Sequence, residues 1–514
     1  MKLVFLLLFI GVNTICNSLH SQEYKRNYNW VVGFVPGLKF NFSSNLSIDT
    51  FTYLTGLRTG SCISDTNGNL LFFSNGYGIG DYEGNLMQNG DTVNSPDGSM
   101  LYSYYGGGGI FDQTSIILPK KDNTYYVFST GMTDSVANNY LNHIYTEFDV
   151  LNYSIVDMDS NAGKGKVVEK NKILLEDQHY VNCALTAVKH ANGKDWWLVK
   201  ADCANHRYQE FIVREDTILG PYYQTIVDTG GFCAWLSQIY FSNDGNIFAS
   251  SMYGQYDANG YNFNRVDIYN FDRCTGNIIF KNYYIAPYDT LTYPNDDMKV
   301  GICFSPDGKL IYMSNLYTIY QIDVEDSNKY NALLITGPDT TIAQFPWYST
   351  MASGPNGKLY IGNSNGTRKF MSYVDSPNVK GLGCNFVPQG VWQPYTNLKS
   401  PPNMPNYGLG KDTTVNCDPI GLEESEKKNE RVTIFPNPSA LGMFNVECSM
   451  FNERDVELEV YTLLGQKVLS QVVKRGTLRA EVDVRGLGAG VYFLKAGLCS
   501  PQAGETWVRK VVVE

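Results

Sequence analysis

The residues that could do chemistry are few and poorly grouped. Of five histidines, His20 falls in the N-terminal leader, leaving His143, His179, His190 and His206. None forms a His-x-x-x-His pair with an intervening Glu, so a metallopeptidase helix is excluded. Cys203 and His206 lie three residues apart, a spacing too common to assign a metal, and no CxxC or paired Cys/His spacing calls for zinc. Asp65-Thr66-Asn67-Gly68-Asn69 has the outline of a calcium loop but lacks the acidic ligands one needs. No Gly-x-Ser-x-Gly elbow occurs. The glycine runs Gly76-Tyr77-Gly78-Ile79-Gly80 and 106–109 open no helix, so they read as loops and not as phosphate cradles. Carboxylates are too numerous to pair by spacing, which leaves a two-carboxylate glycosidase unsupported. These residues therefore name no catalytic group, no metal ligand and no cofactor. Aromatic content of 14% is the suggestive feature. Tyr104, Tyr105, Tyr222, Tyr223, Trp235, Tyr253, Tyr256, Tyr261, Trp347, Tyr348 and Trp392 could stack on sugar rings or anchor protein partners from loop tips. The competing role for each is packing between sheets.

The elements that would carry such residues are strands. The 514 residues are 43% hydrophobic and 18% charged, with 48 Gly and 37 Tyr and few helix-forming runs. That composition is globular, all-β and long enough for two or three domains. A net charge of −11 argues against nucleic acid as partner. Met1 and Lys2 precede a ten-residue apolar run, Leu3-Val4-Phe5-Leu6-Leu7-Leu8-Phe9-Ile10-Gly11-Val12. It is too short to span a bilayer but suits a secretory signal, residues 1–22, cut near Ser21-Gln22. Cys16 follows bulky Ile15, which disfavours a lipoprotein signal. No later stretch reads as a transmembrane helix, and the mature chain is expected to be exported. Without Cys16, ten of the eleven cysteines remain, an even number suited to an oxidising compartment. Cys183 and Cys203 could meet; Cys448 and Cys499 either pair or stay reduced.

Four 14-residue windows superpose without gaps: 62–75 (CISDTNGNLLFFSN), 239–252 (IYFSNDGNIFASSM), 302–315 (ICFSPDGKLIYMSN) and 351–364 (MASGPNGKLYIGNS). Each has a short strand, Asn-Gly or Asp-Gly, then an apolar strand. The Asn/Asp-Gly pairs should supply the positive φ angles of a tight hairpin turn. Looser copies turn at Asn192-Gly193 and at Asp122-Asn123. Turns thus run from 67 to 356 in five steps of about 58 residues, the period of a four-stranded propeller blade. Residues 23–413 hold about seven such units, so seven blades are expected, with six as the alternative. The strand Asn29-Trp30-Val31-Val32-Gly33-Phe34 is expected to join the last blade and close the ring. The set 62–76, Phe271-Asp272-Arg273-Cys274-Thr275-Gly276, 302–315, 376–386 and Pro405-Asn406-Tyr407-Gly408-Leu409-Gly410 resembles exported β-propellers of the Bacteroidota type. That resemblance spans most of 25–410 and brings no catalytic residues with it.

A charged run follows, Glu423-Glu424-Ser425-Glu426-Lys427-Lys428-Asn429-Glu430, and reads as a solvated linker, 414–430. Residues 431–514 then alternate through short strands at 443–446, 457–461, 467–472, 479–484, 490–495 and 506–513. They predict a small Ig-like β-sandwich with Greek-key character. Phe435 with Pro436-Asn437-Pro438, Gly442 before Phe444, Tyr461-Thr462-Leu463-Leu464-Gly465, Gly490-Val491-Tyr492 and Lys510 near the end resemble the type A sorting domain of the type IX secretion system, the Por secretion tail. The resemblance implies recognition by an outer-membrane translocon and removal by a sortase-like peptidase. The combined expectation is a cell-surface or extracellular propeller that binds a glycan or protein, or serves as a scaffold. The alternative is a secreted propeller hydrolase or lyase acting on polysaccharide.

Overall fold

The computed structural model describes residues 23–33, 36–51, 60–94, 112–133, 135–136, 148–180, 184–225, 231–232, 238–254, 263–286, 301–337, 347–363, 368–396, 401–415, 417, 432–435, 439, 442–448, 451, 455–462, 466–498 and 507–513. The expected signal segment and the charged run fall outside these. The chain divides into two compact units, Met1–Cys417 and Asp418–Glu514.

The first unit contains, among the described residues, seven antiparallel sheets at 29–51, 61–81, 115–175, 185–225, 231–286, 301–336 and 348–392. Its named helices are four 3-10 turns of three or four residues. Six strands, Ser61–Ser64, Ser115–Pro119, Leu185–Lys189, Ile239–Phe241, Gly301–Phe304 and Tyr348–Ser353, lie side by side in that order as the inner strands of sheets two to seven. Each sheet shares a core with the next. Ile117, Leu185 and Trp196 join the second to fourth sheets. Trp197 and Phe248 join four to five, Val266 and Ile311 five to six, and Tyr312 and Ile361 six to seven. Trp30, Val32 and Phe40 of the first sheet pack on Tyr360 and Met371 of the seventh, while Val31 packs on Cys62 and Phe73 of the second. The cores therefore run round a closed ring, which is a β-propeller. Buried inner strands grade into mixed outer ones: Leu310–Ser314 is buried throughout, whereas Leu333–Thr336 is largely exposed. Strands flanked by two sheets need apolar residues on both faces; outer strands meet water.

The first strand departs from expectation. Asn29–Val32 does not extend the seventh sheet; it pairs with Gly37–Asn41, which pairs with Ser47–Phe51. Its contact with the seventh sheet is side-chain packing, with the Trp30 and Tyr360 ring centroids 5.3 Å apart. A ladder partner a few residues along the chain costs far less loop-closure entropy than one more than 300 residues away.

The recurrent turns fall where the spacing put them, but with different geometry. Gly245 (φ 74°) and Gly308 (φ 72°) take the left-handed backbone while Asp244 and Asp307 before them do not. The glycine N–H donates to the residue three earlier, Ser242 and Ser305, both at 2.9 Å. The Ser242 and Ser305 hydroxyls donate to the Asp244 and Asp307 carboxylates. Ser242 N donates to Ile247 O and Ser305 N to Leu310 O, so each of these is a four-residue loop with its left-handed angle at glycine, not the two-residue turn. The turn without glycine is the one with two positive angles, Asp122 (51°) and Asn123 (54°).

In the second unit, Val432–Phe435, Met443–Cys448 and Ala480–Asp483 form one sheet. Lys467–Val473, Val456–Thr462, Gly490–Leu498 and Trp507–Val513 form the other. Phe444, Val446, Leu458, Val460, Leu494 and Val511 share one core between them. Strand Val456–Thr462 shows the cause: Val456, Leu458 and Val460 are buried while Glu457, Glu459 and Tyr461 are not, the period-two pattern of a sheet with one dry face. Residues 414–417, expected in the linker, stay with the first unit, because buried Cys417 is disulfide-bonded to Cys274. Cys62, Cys303 and Cys384 are buried free thiols. Burial pushes Cys62 and Cys303 up to about 12, so they stay unreactive. Cys183, Cys499 and the side chains of Cys203 and Cys448 lie outside the described residues.

Candidate functional site

The axis of the ring is where a propeller offers a channel, and here the chain fills it. The inner strands of sheets two to seven begin at one mouth, shown by buried amides that bridge their first residues. Gln113 exchanges two hydrogen bonds with Ile239, both 2.9 Å. Gln238 accepts from Ile302 N (3.0 Å) and Met351 N (3.1 Å) and donates to Met351 O (2.8 Å). Asn403, beyond the last sheet, donates through Nδ2 to Ser115 O (2.9 Å) and Leu185 O (2.8 Å), and its N–H to Gly60 O (2.7 Å). From there the chain runs towards the turn end of the ring. Tyr407 is fully buried, donates its hydroxyl to Ile117 O (2.7 Å) and meets Trp196 edge-on at 5.8 Å. Asn406 donates to Asn243 O in the turn of the fifth sheet (2.9 Å). The N-terminal residues cross the same end: Tyr24 donates to Pro355 O (3.0 Å) and Asn27 to Pro405 O (3.2 Å). A cavity of about 60 Å³ persists beside this segment, lined by Tyr24, Asn27, Val188, Tyr240, Met404 and Asn406 among others. That is room for a few waters. Sequence reasoning missed Gln113, Gln238, Asn403 and Tyr407 as structural keys. The one local signal was a lone amide before an apolar strand.

The residues singled out in sequence do not converge. His190 is buried, accepts from Asn192 N at Nδ1 (3.1 Å) and places Nε2 3.0 Å from Cys274 O. Burial lowers its pKa despite Asp195 nearby. His206 is exposed on a turn with φ 50°, and His179 is exposed on another connection. His143 and the Cys203 side chain lie outside the described residues. Asp65 spends its carboxylate inside its own turn, accepting from Asn67 N, Asn69 N and Asn69 Nδ2. Gly76 to Gly78 is a buried turn held by Asn75 Oδ1, and Ile79 and Gly80 begin the third strand of the second sheet; 106–109 is outside the described residues. Tyr348 is buried against Phe386, while Trp392 is 68% exposed at the end of the seventh sheet's outer strand. Tyr222 and Tyr223 are half-exposed on the outer strand of the fourth sheet, the first edge-on to Trp197 and the second beneath the Arg207 guanidinium. Trp347 is partly exposed. Tyr104, Tyr105, Trp235, Tyr256, Tyr261 and the Tyr253 side chain are not among those described.

Among the described residues two carboxyls are raised, and both sit within sheets. Burial pushes Glu210 up to about 8, against two hydrogen bonds from Gln224 Nε2 at 2.7 Å. Burial likewise lifts Asp267 to about 6, opposed by Arg265 at 2.5 Å. A polar pair in the otherwise apolar strand Arg207–Val213 was the sequence signal for Glu210. A folded-state pKa above the unfolded value means the folded chain holds the proton more tightly. The Glu210 contribution is therefore complete below about pH 4.5 and is lost as pH rises towards 8. Glu210→Gln is expected to flatten the fall in denaturation midpoint between pH 5 and 8, measured by urea unfolding at each pH. A wild-type slope left unchanged by the substitution would count against a buried neutral carboxyl.

In the second unit, Tyr461, Val491, Tyr492 and Lys510 come together on adjacent strands. Tyr461 pairs with Phe493 and Phe493 with Lys510; Gly490, Val491 and Tyr492 pair with Val513, Val512 and Val511. Tyr461 donates to Glu459, which also pairs with Lys467 at 2.8 Å. Gly442 has φ 68° and lies against Arg485, where only glycine adopts the backbone freely. Pro436, Asn437, Pro438 and Gly465 lie outside the described residues.

Residues 433–514 match the family described as the secretion system C-terminal sorting domain. No curated protein matches the chain. Among solved structures, the Dos1 propeller is similar at 10% identity and TM-score 0.38, covering 71% of this chain and 81% of its own. The Pseudomonas aeruginosa periplasmic gluconolactonase PpgL is similar at 12% identity and TM-score 0.32, over 73% and 98%. The Vanderwaltozyma polyspora Nup133 β-propeller domain is similar at 10% identity and TM-score 0.31, over 59% and 89%. The fold stands on the ring of sheets and not on these likenesses. What the chain combines is a β-propeller with its axis filled and, later in the sequence, a type IX secretion system C-terminal sorting domain.

Proposed function

We propose that the first unit is a seven-bladed binding or scaffold module, displayed on the cell surface or released outside. In this reading residues 1–22 direct it to the periplasm and are removed. The second unit then presents it to the type IX translocon and a sortase-like peptidase through Pro436, Asn437, Pro438, Gly442, Tyr461, Gly465, Gly490, Val491, Tyr492 and Lys510. The observation that carries the binding role is the filled axis. Asn403 and Tyr407 occupy the space where a propeller enzyme would hold substrate between inner strands, which directs a glycan or protein ligand to the outer surfaces. Exposed Trp392 and half-exposed Tyr222 and Tyr223 offer rings of the kind that stack on sugars.

The test is a glycan array and a surface-protein pull-down with the purified chain, run beside a polysaccharide hydrolysis assay. Saturable binding without product is the expected outcome, weakened by Trp392→Ala or by Tyr222→Ala with Tyr223→Ala. Product release that is abolished by an Asp or Glu substitution would sink the binding reading and favour the enzyme.

A further inference from the structure

Two segments that stand out in the sequence, Phe271-Asp272-Arg273-Cys274-Thr275-Gly276 and Pro405-Asn406-Tyr407-Gly408-Leu409-Gly410, meet at the turn end of the ring. Arg273 is only 6% exposed. Its guanidinium donates to Lys189 O (2.9 Å), Asp244 O (3.3 Å), His190 O (3.4 Å) and Gly410 O (2.6 Å). One side chain thus gathers carbonyls from the fourth sheet, the fifth sheet and the axial segment. Only a planar, five-donor group can do this; a lysine ammonium is a single point with three donors. The turn that carries Arg273 is itself pinned, since Trp197 Nε1 donates to Arg273 O (2.9 Å). The next residue, Cys274, is bonded to Cys417 across 143 residues. Between the two anchors, Asp412 N donates to Ala191 O (2.9 Å). Leu409 packs so closely on Gly245 that a Cβ there would stand 2.9 Å from its Cδ2.

We infer that these segments are two halves of a clasp, in which Arg273 seats the axial segment and the Cys274–Cys417 bond latches it. The need for one follows from how the ring closes. Among the described residues the first and seventh sheets share no ladder; side-chain packing and the Tyr24 hydrogen bond to Pro355 O join the two ends of the ring. The axial segment instead touches the second, third, fourth and fifth sheets at once, and fixing its exit stops it from backing out. The second unit begins just after Cys417, so tension from that side passes into the fifth sheet through the disulfide. It does not reach the hydrogen bonds of Asn403 and Tyr407. The clasp holds whatever the ring binds and is independent of the binding role.

The experiment uses the full chain carrying Cys417→Ser, Arg273→Lys, or both, and reads trypsin cleavage after exposed Lys411 with hydrogen exchange over 403–412. Cleavage of the open form tracks its population, so each single variant should be cut at least about tenfold faster, and the double variant faster still. Exchange in Leu310–Ser314 should stay slow. If the double variant fails to fold, the wild-type chain in dithiothreitol gives the same reading. That dithiol passes two electrons and two protons to the disulfide and leaves as its own cyclic disulfide. Unchanged cleavage and exchange in the single variants and after reduction would overturn the clasp.

Discussion

A chain ending at residue 420 is expected to accumulate in the periplasm, with near-complete loss from the cell surface and medium. Among the described residues, the second unit builds its core, from Phe444 to Val513, out of its own strands. Stopping after 420 keeps Asn403, Tyr407 and Cys417, so the axial segment and its disulfide survive. The truncated ring should therefore show the same thermal midpoint as the ring within the full chain, and misfolding would not account for its retention. Leu458→Asp in the full chain should retain the protein in the same way. It puts an unpaired carboxylate into a fully buried position, at a cost of several kcal/mol. Fractionation followed by immunoblotting decides the matter. Truncated protein reaching the surface in full yield would remove the sorting role from residues 433–514.

Tyr407→Ala should be the most damaging single substitution of the axial segment. Its ring is fully buried, packs edge-on against Trp196 and donates to a strand carbonyl, Ile117 O. Deleting a large buried aromatic costs about 3–5 kcal/mol through lost contacts and a cavity. Tyr407→Phe keeps the ring and loses only the hydrogen bond, about 1–3 kcal/mol if Ile117 O is left bare. The order wild type, Phe, Ala in denaturation midpoint is the expected result. An Ala variant as stable as wild type would mean that the segment lies on the ring and not within it.

Much of the architecture was legible because it is written locally. Asn-Gly and Asp-Gly between short apolar runs marked the inner hairpins of the second and fourth to seventh sheets, and Asp122-Asn123 that of the third. Alternation such as Val456, Leu458 and Val460 placed the strands of the second unit with ends shifted by three residues at most. The turn geometry was less legible. None of Asn67, Asn192, Asp244, Asp307 and Asn356 takes a positive φ, which falls on the following glycine alone; that depends on where the strand ladder closes across the turn, which spacing does not reveal. The sheet assignment of Asn29–Val32 was misread because an apolar strand carries no mark of its partner.

By itself the sequence determined the strand content, the repeat of turns, the division into a ring and a tail, and the export signature of that tail. Each depends on residues within a dozen positions of one another. Only the tertiary structure decided that residues 401–410 fill the ring and that Arg273 donates to Gly410 O. It alone paired Cys274 with Cys417 and, by burying Glu210 within a sheet, raised the pKa of its carboxyl. Those facts depend on distance and dielectric between groups far apart along the chain, and folding sets both only when the ring closes.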